Sequence, residues 1–393
     1  MKRLLQTAAI AASVLAAGTA AAADPIKIAH VAGFTGPLEP YAKQLQTGME
    51  MGFEYATNGT NKVLGRDIEI LQYDSQLKPD RARALLEEAY GDEDVTLAVG
   101  PVASGVAIAS LPIAEMYEKI IIPEGVADSI TGKDWNRYVV RIGRNSSQDA
   151  ISNAVAVADE GVCIATLAQD YAFGRDGVAA YKKAAEELGA TIVHEEYVPT
   201  DATDFTAPGQ RIIDALRNDD CEERYAFLIW AGGGNPLAKL ADMNPGRYGI
   251  TLTTGGNILP ALAAYKVSPG MEGAGYYYYE NPNNDVNDWL VKEHFKRFNS
   301  PPDFFTAQGM AQAMAIVAAI EKAGATDTES LLEAFQGLTF NSPKGELYIR
   351  PEDQQTLQPM YHFKIKVKEG VDWAVPELVR EIGADEMNVP ILN

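Results

Sequence analysis

The strongest constraint in this chain is a repeated alternation of short apolar runs with amphipathic segments, starting at residue 24. The first run is Ile26 to Phe34, ending at Gly36-Pro37, followed by a helical stretch with Leu45, Met49 and Phe53 at helix spacing. Ile68 to Tyr73, a helix from Pro79 to Tyr90, Val95 to Val102, a helix from Ser104 to Tyr117 and Ile120 to Pro123 continue the series. Parallel neighbours need a long crossover, so this order predicts a parallel sheet with helices on both faces. The pattern restarts after Tyr138 to Ile142, with a helix over Ser147–Ala158, Val162 to Gln169, a helix over Asp176–Leu188, and Thr191 to Val198. A helix over Ala207–Arg217, Tyr225 to Ala231, a helix near Pro236–Met243 and Ile250 to Thr254 follow. Two α/β lobes in series are expected, as a length of 393 residues allows at roughly 100 to 200 residues per domain. Helices over Val286–Phe298, Thr306–Ala323 and Thr328–Gln336 come next, then strand-like pieces at Leu347–Arg350 and Met360–Val367.

Residues 1–23 read as a secretory signal: Lys2 and Arg3 precede a short apolar stretch, and Ala21-Ala22-Ala23 suits cleavage before Asp24. No later segment of that length is both uncharged and apolar, so a soluble mature chain in the periplasm is expected. In an oxidising compartment Cys163 and Cys221, the only cysteines, have two open alternatives: one bridge between neighbouring strands, or two separately buried thiols. The formal charge of −21 repels nucleic acid and anionic membrane surfaces, so neither is expected as a partner.

Ligands of open α/β sheets sit outside the carboxyl ends of the strands. Here those turns are Gly33–Pro37, Gly100–Gly105, Pro123–Val126, Gln169–Gly174, Ala231–Asn235 and Thr254–Asn257, rich in glycine and small polar residues. Ser104, at a helix start, is able either to cap the helix or to donate to a carboxylate. No catalytic constellation is visible. Gly125 to Lys133 has the wrong spacing for a phosphate loop, and Gly232-Gly233-Gly234 lacks the dinucleotide spacing. His30, His194, His294 and His362 are scattered, with no zinc pattern and no GxSxG elbow. The chain is therefore expected to be neither an enzyme nor a holder of a metal or cofactor.

At these turns the sequence resembles the leucine/isoleucine/valine-binding family, the type I periplasmic solute-binding proteins of branched-chain amino-acid ABC importers. The segments that carry the likeness are IKIAHVAGFTGPLEPYAKQLQTGMEMGFEYA from Ile26, AVGPVASGVAIASLPIAE from Ala98, RIGRNSSQDA from Arg141 and AQDYAFGRDGVAAYKKAAEELGA from Ala168. TDFTAPGQRIIDAL from Thr203 and GMEGAGYYYYE from Gly270 match in placement. The resemblance implies two Rossmann-like lobes joined by three crossings, near 141–145, 275–279 and 341–345. Lobe 1 is then 24–143 plus 276–341, and lobe 2 is 144–275 plus 342–393. It also implies a monomer that traps a small ligand by lobe closure and delivers it to ABC permease and ATPase subunits, with a periplasmic sensor for a membrane signalling protein as the alternative.

The resemblance also places the ligand. Tyr41 matches the aromatic that covers it, and Ser104 matches the serine that binds its carboxylate. Val126 stands where a pocket threonine is expected, and the stretch around Gly255 lacks the family's ammonium-pairing acid, which Glu124 is able to replace from another direction. Tyr171, Phe173 and Trp230 are candidate walls, and Gly125, Asn145 and Gly232 are candidates in the adjoining turns. With the ammonium half of the site reduced, the expected ligand is an aromatic carboxylate or a hydrophobic amino acid. The run Tyr276–Tyr279 is expected to be a strand whose alternate residues face core and solvent.

Overall fold

A computed structural model describes residues 23–218 and 220–393; residues 1–22, and with them nearly all of the expected signal, lie outside the described residues. The first run comprises β1 (Ile26–Ala32), α1 (Glu39–Ala56), β2 (Lys62–Val63), β3 (Arg66–Asp74), α2 (Pro79–Gly91), β4 (Leu97–Val99), α3 (Ser104–Tyr117) and β5 (Ile120–Ile122). The second comprises α4 (Ser146–Val157), β6 (Val162–Gln169), α5 (Ala172–Glu187), β7 (Thr191–Val198), α6 (Thr206–Asn218), β8 (Glu223–Ile229), α7 (Leu237–Asp242), β9 (Ile250–Thr254) and α8 (Leu259–Leu262). Then come β10 (Glu272–Gly275), α9 (Asp285–Phe298), α10 (Phe304–Ala323), α11 (Thr328–Phe335), β11 (Thr339–Ser342), β12 (Gly345–Ile349), β13 (Thr356–Leu357), β14 (Met360–Lys366), β15 (Val375–Ile382) and α12 (Ala384–Met387).

The first sheet has the order β2-β3-β1-β4-β5, parallel except for the β2–β3 hairpin, and the second has the order β7-β6-β8-β9, parallel throughout. Helices on both faces bury these strands, which is why β4, β5 and β6 read as continuous apolar runs. In each sheet the chain turns back on either side of one central strand, β1 or β6. Each lobe thus has a switch point with a crevice at the carboxyl edge.

The first lobe's core extends from Ile26 through the α10 residues to Phe335 and is joined by Leu347, Ile349, Met360 and Ile382. Phe363, Ile365 and Ala374 instead pack with the second lobe's Leu228, Leu240 and Leu252. The hairpin β14–β15 therefore reaches from one lobe into the other and returns. Near 341–345, where the likeness implied a crossing, the chain makes the tight hairpin β11–β12, with Phe340 and Leu347 both in the first core.

Three features differ from the sequence reading. Two small antiparallel sheets, β10-β14-β15 and β11-β12-β13, were not anticipated as sheets: β12 and β14 match the strand-like pieces read at Leu347–Arg350 and Met360–Val367, but β15 exposes charged residues that hide its period. Tyr276–Tyr279 is not a strand: β10 ends at Gly275, and Tyr276, Tyr277 and Tyr278 are all buried. Finally, α10 is long and apolar enough to cross a membrane. It is instead a core helix, because close backbone approach to α1 buries nearly all of it. A Cβ at Gly48 would overlap the Thr306 carbonyl, and one at Gly309 the Leu45 carbonyl, so only glycine allows this approach.

Of the two alternatives for the cysteines, the structure has the bridge: Cys163 opens β6, Cys221 precedes β8, and their Cα atoms lie 5.7 Å apart. The bond staples adjacent parallel strands across a separation of 58 residues. Loop-closure entropy predicts that changing both cysteines to serine lowers the unfolding free energy by about 2–4 kcal/mol. Urea titration of the two oxidised proteins measures this difference.

Candidate functional site

The carboxyl edges of the two sheets meet across one cavity of about 110 Å³. A single water needs roughly 10–15 Å³ on the same scale, so the space suits a ligand of about ten non-hydrogen atoms. Leu38, Tyr41, Val102, Ser104, Glu124 and Val126 contribute from the first lobe's turns, and Tyr171, Phe173, Trp230, Ala231 and Gly255 from the second's. Arg144 and Asp149, on the segment that joins the lobes, complete the polar wall.

Of the residues singled out from sequence, Tyr41, Ser104, Glu124, Val126, Tyr171, Phe173, Trp230 and Gly255 line this cavity. Gly125, Asn145 and Gly232 stand behind it. Gly125 packs on Ser104, and its carbonyl accepts from buried Arg141. The Asn145 side chain caps α4 by accepting from the Gln148 N–H at 2.9 Å. The Gly232 N–H donates to the Tyr41 hydroxyl at 2.8 Å, which in turn donates to Asn257 Oδ1 at 3.3 Å. Tyr41 belongs to α1 of the first lobe, so its phenol ties the lobes together at the cavity's edge. Phe305 stacks on its ring at 4.2 Å between centroids. Burial pushes the Tyr41 hydroxyl above its ordinary pKa, so it stays a neutral donor.

Ser104 does not cap its own helix, whose N-cap is Ala103. Its Oγ instead accepts the Val126 and Ala127 N–H groups, both at 3.2 Å. With both lone-pair directions taken, the hydroxyl hydrogen is what Ser104 has left to give. The residue is thereby fixed as a donor on the cavity wall.

Sequence reasoning missed the charged pair. Arg144 Nε donates to both Asp149 carboxylate oxygens, at 2.8 and 2.9 Å, and its Nη1 reaches Gln308 Oε1 at 3.5 Å. Its Nη2 makes no hydrogen bond to the described residues. The guanidinium lies 4.6 Å from the Phe304 ring centroid and 5.4 Å from that of Tyr276, a low-dielectric setting that strengthens its field. Burial raises the Asp149 pKa against the pull of Arg144. Its side chain nonetheless keeps 30% of its surface open, because it faces the cavity rather than packed atoms. Behind this pair Lys344 is buried over Tyr276; burial first, and Arg144 second, hold its pKa well below the lysine range. The only sequence signal was RIGRNSSQDA itself, where an i,i+5 Arg–Asp pair was masked by its reading as a hinge. Gly255 supplies no acid at its position; the acidic side chains on the cavity wall are Glu124 and Asp149.

Among the described residues no cluster of histidine, cysteine and carboxylate side chains is arranged to hold a metal ion.

Two α/β lobes with facing switch points, a polar-ended cavity between them and cross-lobe hydrogen bonds at its rim define a receptor that closes on a small solute. The chain belongs to the periplasmic binding protein family, whose model matches residues 25–370. It is a solute-binding protein of the ABC-transporter type; the family consists of solute-binding proteins and implies the periplasm as its location. A solved structure of an ABC-type branched-chain amino-acid transporter protein from Rhodopseudomonas palustris shares 60% identity, covers 94% of this chain and 99% of its own, and superposes with a TM-score of 0.85. A Leu/Ile/Val-binding protein homologue from Brucella melitensis is 27% identical over 92% of both chains. A second Rhodopseudomonas palustris binding protein, in complex with 4-hydroxybenzoate, shares the fold at 21% identity, a TM-score of 0.79 and coverage of 92% and 97%.

A second cross-lobe group titrates. Asp303 caps α10 and also accepts from Gln44 Nε2 at 2.8 Å and from the Leu259 N–H at 3.0 Å. Burial raises its carboxyl from 3.8 to about 6 despite these donors. The native state then keeps a proton that the unfolded chain has released, so stability falls as pH rises from about 4 to about 6 and levels off above. Across that window Asp303→Asn should gain on the wild type by up to about 3 kcal/mol. Urea titrations of both proteins at pH 4, 5, 6 and 7 check the slope.

Proposed function

We propose that this protein captures a small carboxylate-bearing ligand with an apolar or aromatic body, either a hydrophobic amino acid or an aromatic acid, and delivers it unchanged to ABC permease and ATPase subunits. The observation that carries the reading is the pair of donors on the cavity wall: the Ser104 hydroxyl with its oxygen already occupied, and the Arg144 guanidinium, whose Nη2 makes no hydrogen bond among the described residues. Two fixed donors, one cationic, suit a carboxylate. Tyr41, Tyr171, Phe173 and Trp230 then sheathe an apolar body, with Val126 and Gly255 filling between them.

Closure follows from the same geometry. A ligand held by Ser104 and the first-lobe turns, and touched by Phe173 and Trp230 from the second lobe, favours the shut form by its extra contacts there. The permease reads that shut form. We assign 24–143 and 276–341 to the first lobe and 144–275 to the second, with 342–393 shared between them. Residues 1–23 act as a cleavable export signal, and the chain works as a monomer. The curated relatives are named as amino-acid-binding proteins, which favours import over signalling.

The test is calorimetric titration of refolded, ligand-stripped protein with leucine, benzoate and 4-hydroxybenzoate, with small-angle scattering on the same samples. At least one acid should bind and reduce the radius of gyration. Arg144→Met should weaken that binding by about ten- to a hundredfold, the worth of a charge-assisted hydrogen bond. Binding left unchanged by Arg144→Met would overturn the assignment of the carboxylate end.

A further inference from the structure

The donors above account for one polar group of the ligand and leave Glu124 without a role. This residue follows β5, is 2% exposed and lines the cavity beside Ser104, yet among the described residues neither of its carboxyl oxygens has a hydrogen-bond partner. It faces His30, inside β1, whose Nε2 lies 3.6 Å from Oε1, too far for a hydrogen bond. The state of His30 follows from its other side. Gln46 Nε2 donates to Glu50 at 2.8 Å, which turns Gln46 Oε1 toward His30 Nδ1 at 2.7 Å. An amide oxygen only accepts, so Nδ1 carries a hydrogen.

Nε2 of a neutral His30 is then an acceptor like the carboxylate it faces. At 3.6 Å neither group satisfies the other. Both Glu124 oxygens remain acceptors with no donor among the described residues. A buried carboxyl oxygen left so costs stability, and it lies on the wall of a cavity built to admit a small molecule.

We infer that Glu124 is a specificity-determining residue: it receives a hydrogen-bond donor carried by the ligand, so the ligand is a carboxylic acid bearing a hydroxyl or an ammonium group as well. The wall around Ser104 thus offers one donor for the carboxylate and one acceptor for the second group. The inference rests on the carboxylate-receptor reading and narrows it, because an acid with a bare apolar body leaves Glu124 unsatisfied. Sites that bond a ligand hydroxyl or ammonium discriminate strongly against the analogue lacking it.

The experiment compares matched pairs on the refolded, ligand-stripped full-length mature chain: leucine with 4-methylpentanoate, and 4-hydroxybenzoate with benzoate. In the wild type, calorimetry should give the donor-bearing member of at least one pair an affinity at least about tenfold higher. Glu124→Met and Glu124→Leu, made in parallel because they fill the space differently and checked for folding by thermal melting, should shrink that ratio to about threefold or less. Affinity for the donor-free member should hold. Glu124→Gln keeps an acceptor oxygen but no charge, so it should preserve a hydroxyl preference and abolish an ammonium preference, which separates the two sources of the donor. Equal affinities within both pairs, or a ratio that survives in a folded Glu124→Met or Glu124→Leu protein, overturns the role of Glu124 while leaving the receptor intact. Failure of all four acids to bind the wild type removes the carboxylate reading and this inference together.

Discussion

A guanidinium held out of water where two lobes meet is the interaction on which the site depends. Arg144 is 8% exposed, and a bare charge in such a place is costly unless it is paired and hydrogen-bonded. Asp149, in the first turn of α4 and five residues along the chain, supplies the pairing, and the guanidinium lies against the rings of Phe304 and Tyr276. The consequences spread outward. Lys344, crowded by the same positive charge and buried, has its proton loosened. Asp149 keeps its carboxylate turned to the cavity. Arg144 Nη2 makes no hydrogen bond among the described residues.

Closure depends on a second set of contacts that cost little to break. Tyr41 spans the crevice through one hydroxyl, taking the Gly232 N–H and giving to Asn257, and the Ser129 N–H reaches Asp176 across the same gap at 3.0 Å. Each such bond is worth about 1 kcal/mol net, so a ligand's differential contacts are large enough to decide between open and shut. The lobes themselves are rigid by comparison: α10 is wedged against α1 at glycines, and the Cys163–Cys221 bond ties β6 to β8. In the segment that joins the lobes, Arg141 is fully buried and donates to the Ala127 carbonyl at 2.7 Å and to Gln355 at 2.6 Å.

Much of the architecture was legible in the chain because parallel strands buried on both faces must be apolar throughout. The runs at Ile26, Val95, Ile120 and Val162 could be read without knowing their neighbours. Of the antiparallel additions, β12 and β14 were legible as strand-like pieces, but β15, with Glu377, Arg380 and Glu381 on show, has no apolar period. The tyrosine run misled for the opposite reason. Its aromatic content suggests a strand, but Tyr276 lies under Arg144 and Lys344 as a cation-facing ring, a role set by residues far away in sequence.

Sequence by itself determined the two parallel sheets and the carboxyl-edge turns, because local periodicity and glycine-rich turns encode them; the apolar wall residues came from the likeness to the binding-protein family. It did not reveal which charges meet. That Ser104 accepts two backbone N–H groups rather than capping its helix, that Arg144 pairs with Asp149, and that Glu124 faces His30 at 3.6 Å were decided by tertiary structure alone. Hydrogen-bond roles and buried charge balance are properties of groups brought within about 4 Å of one another, and no spacing along the chain specifies those encounters.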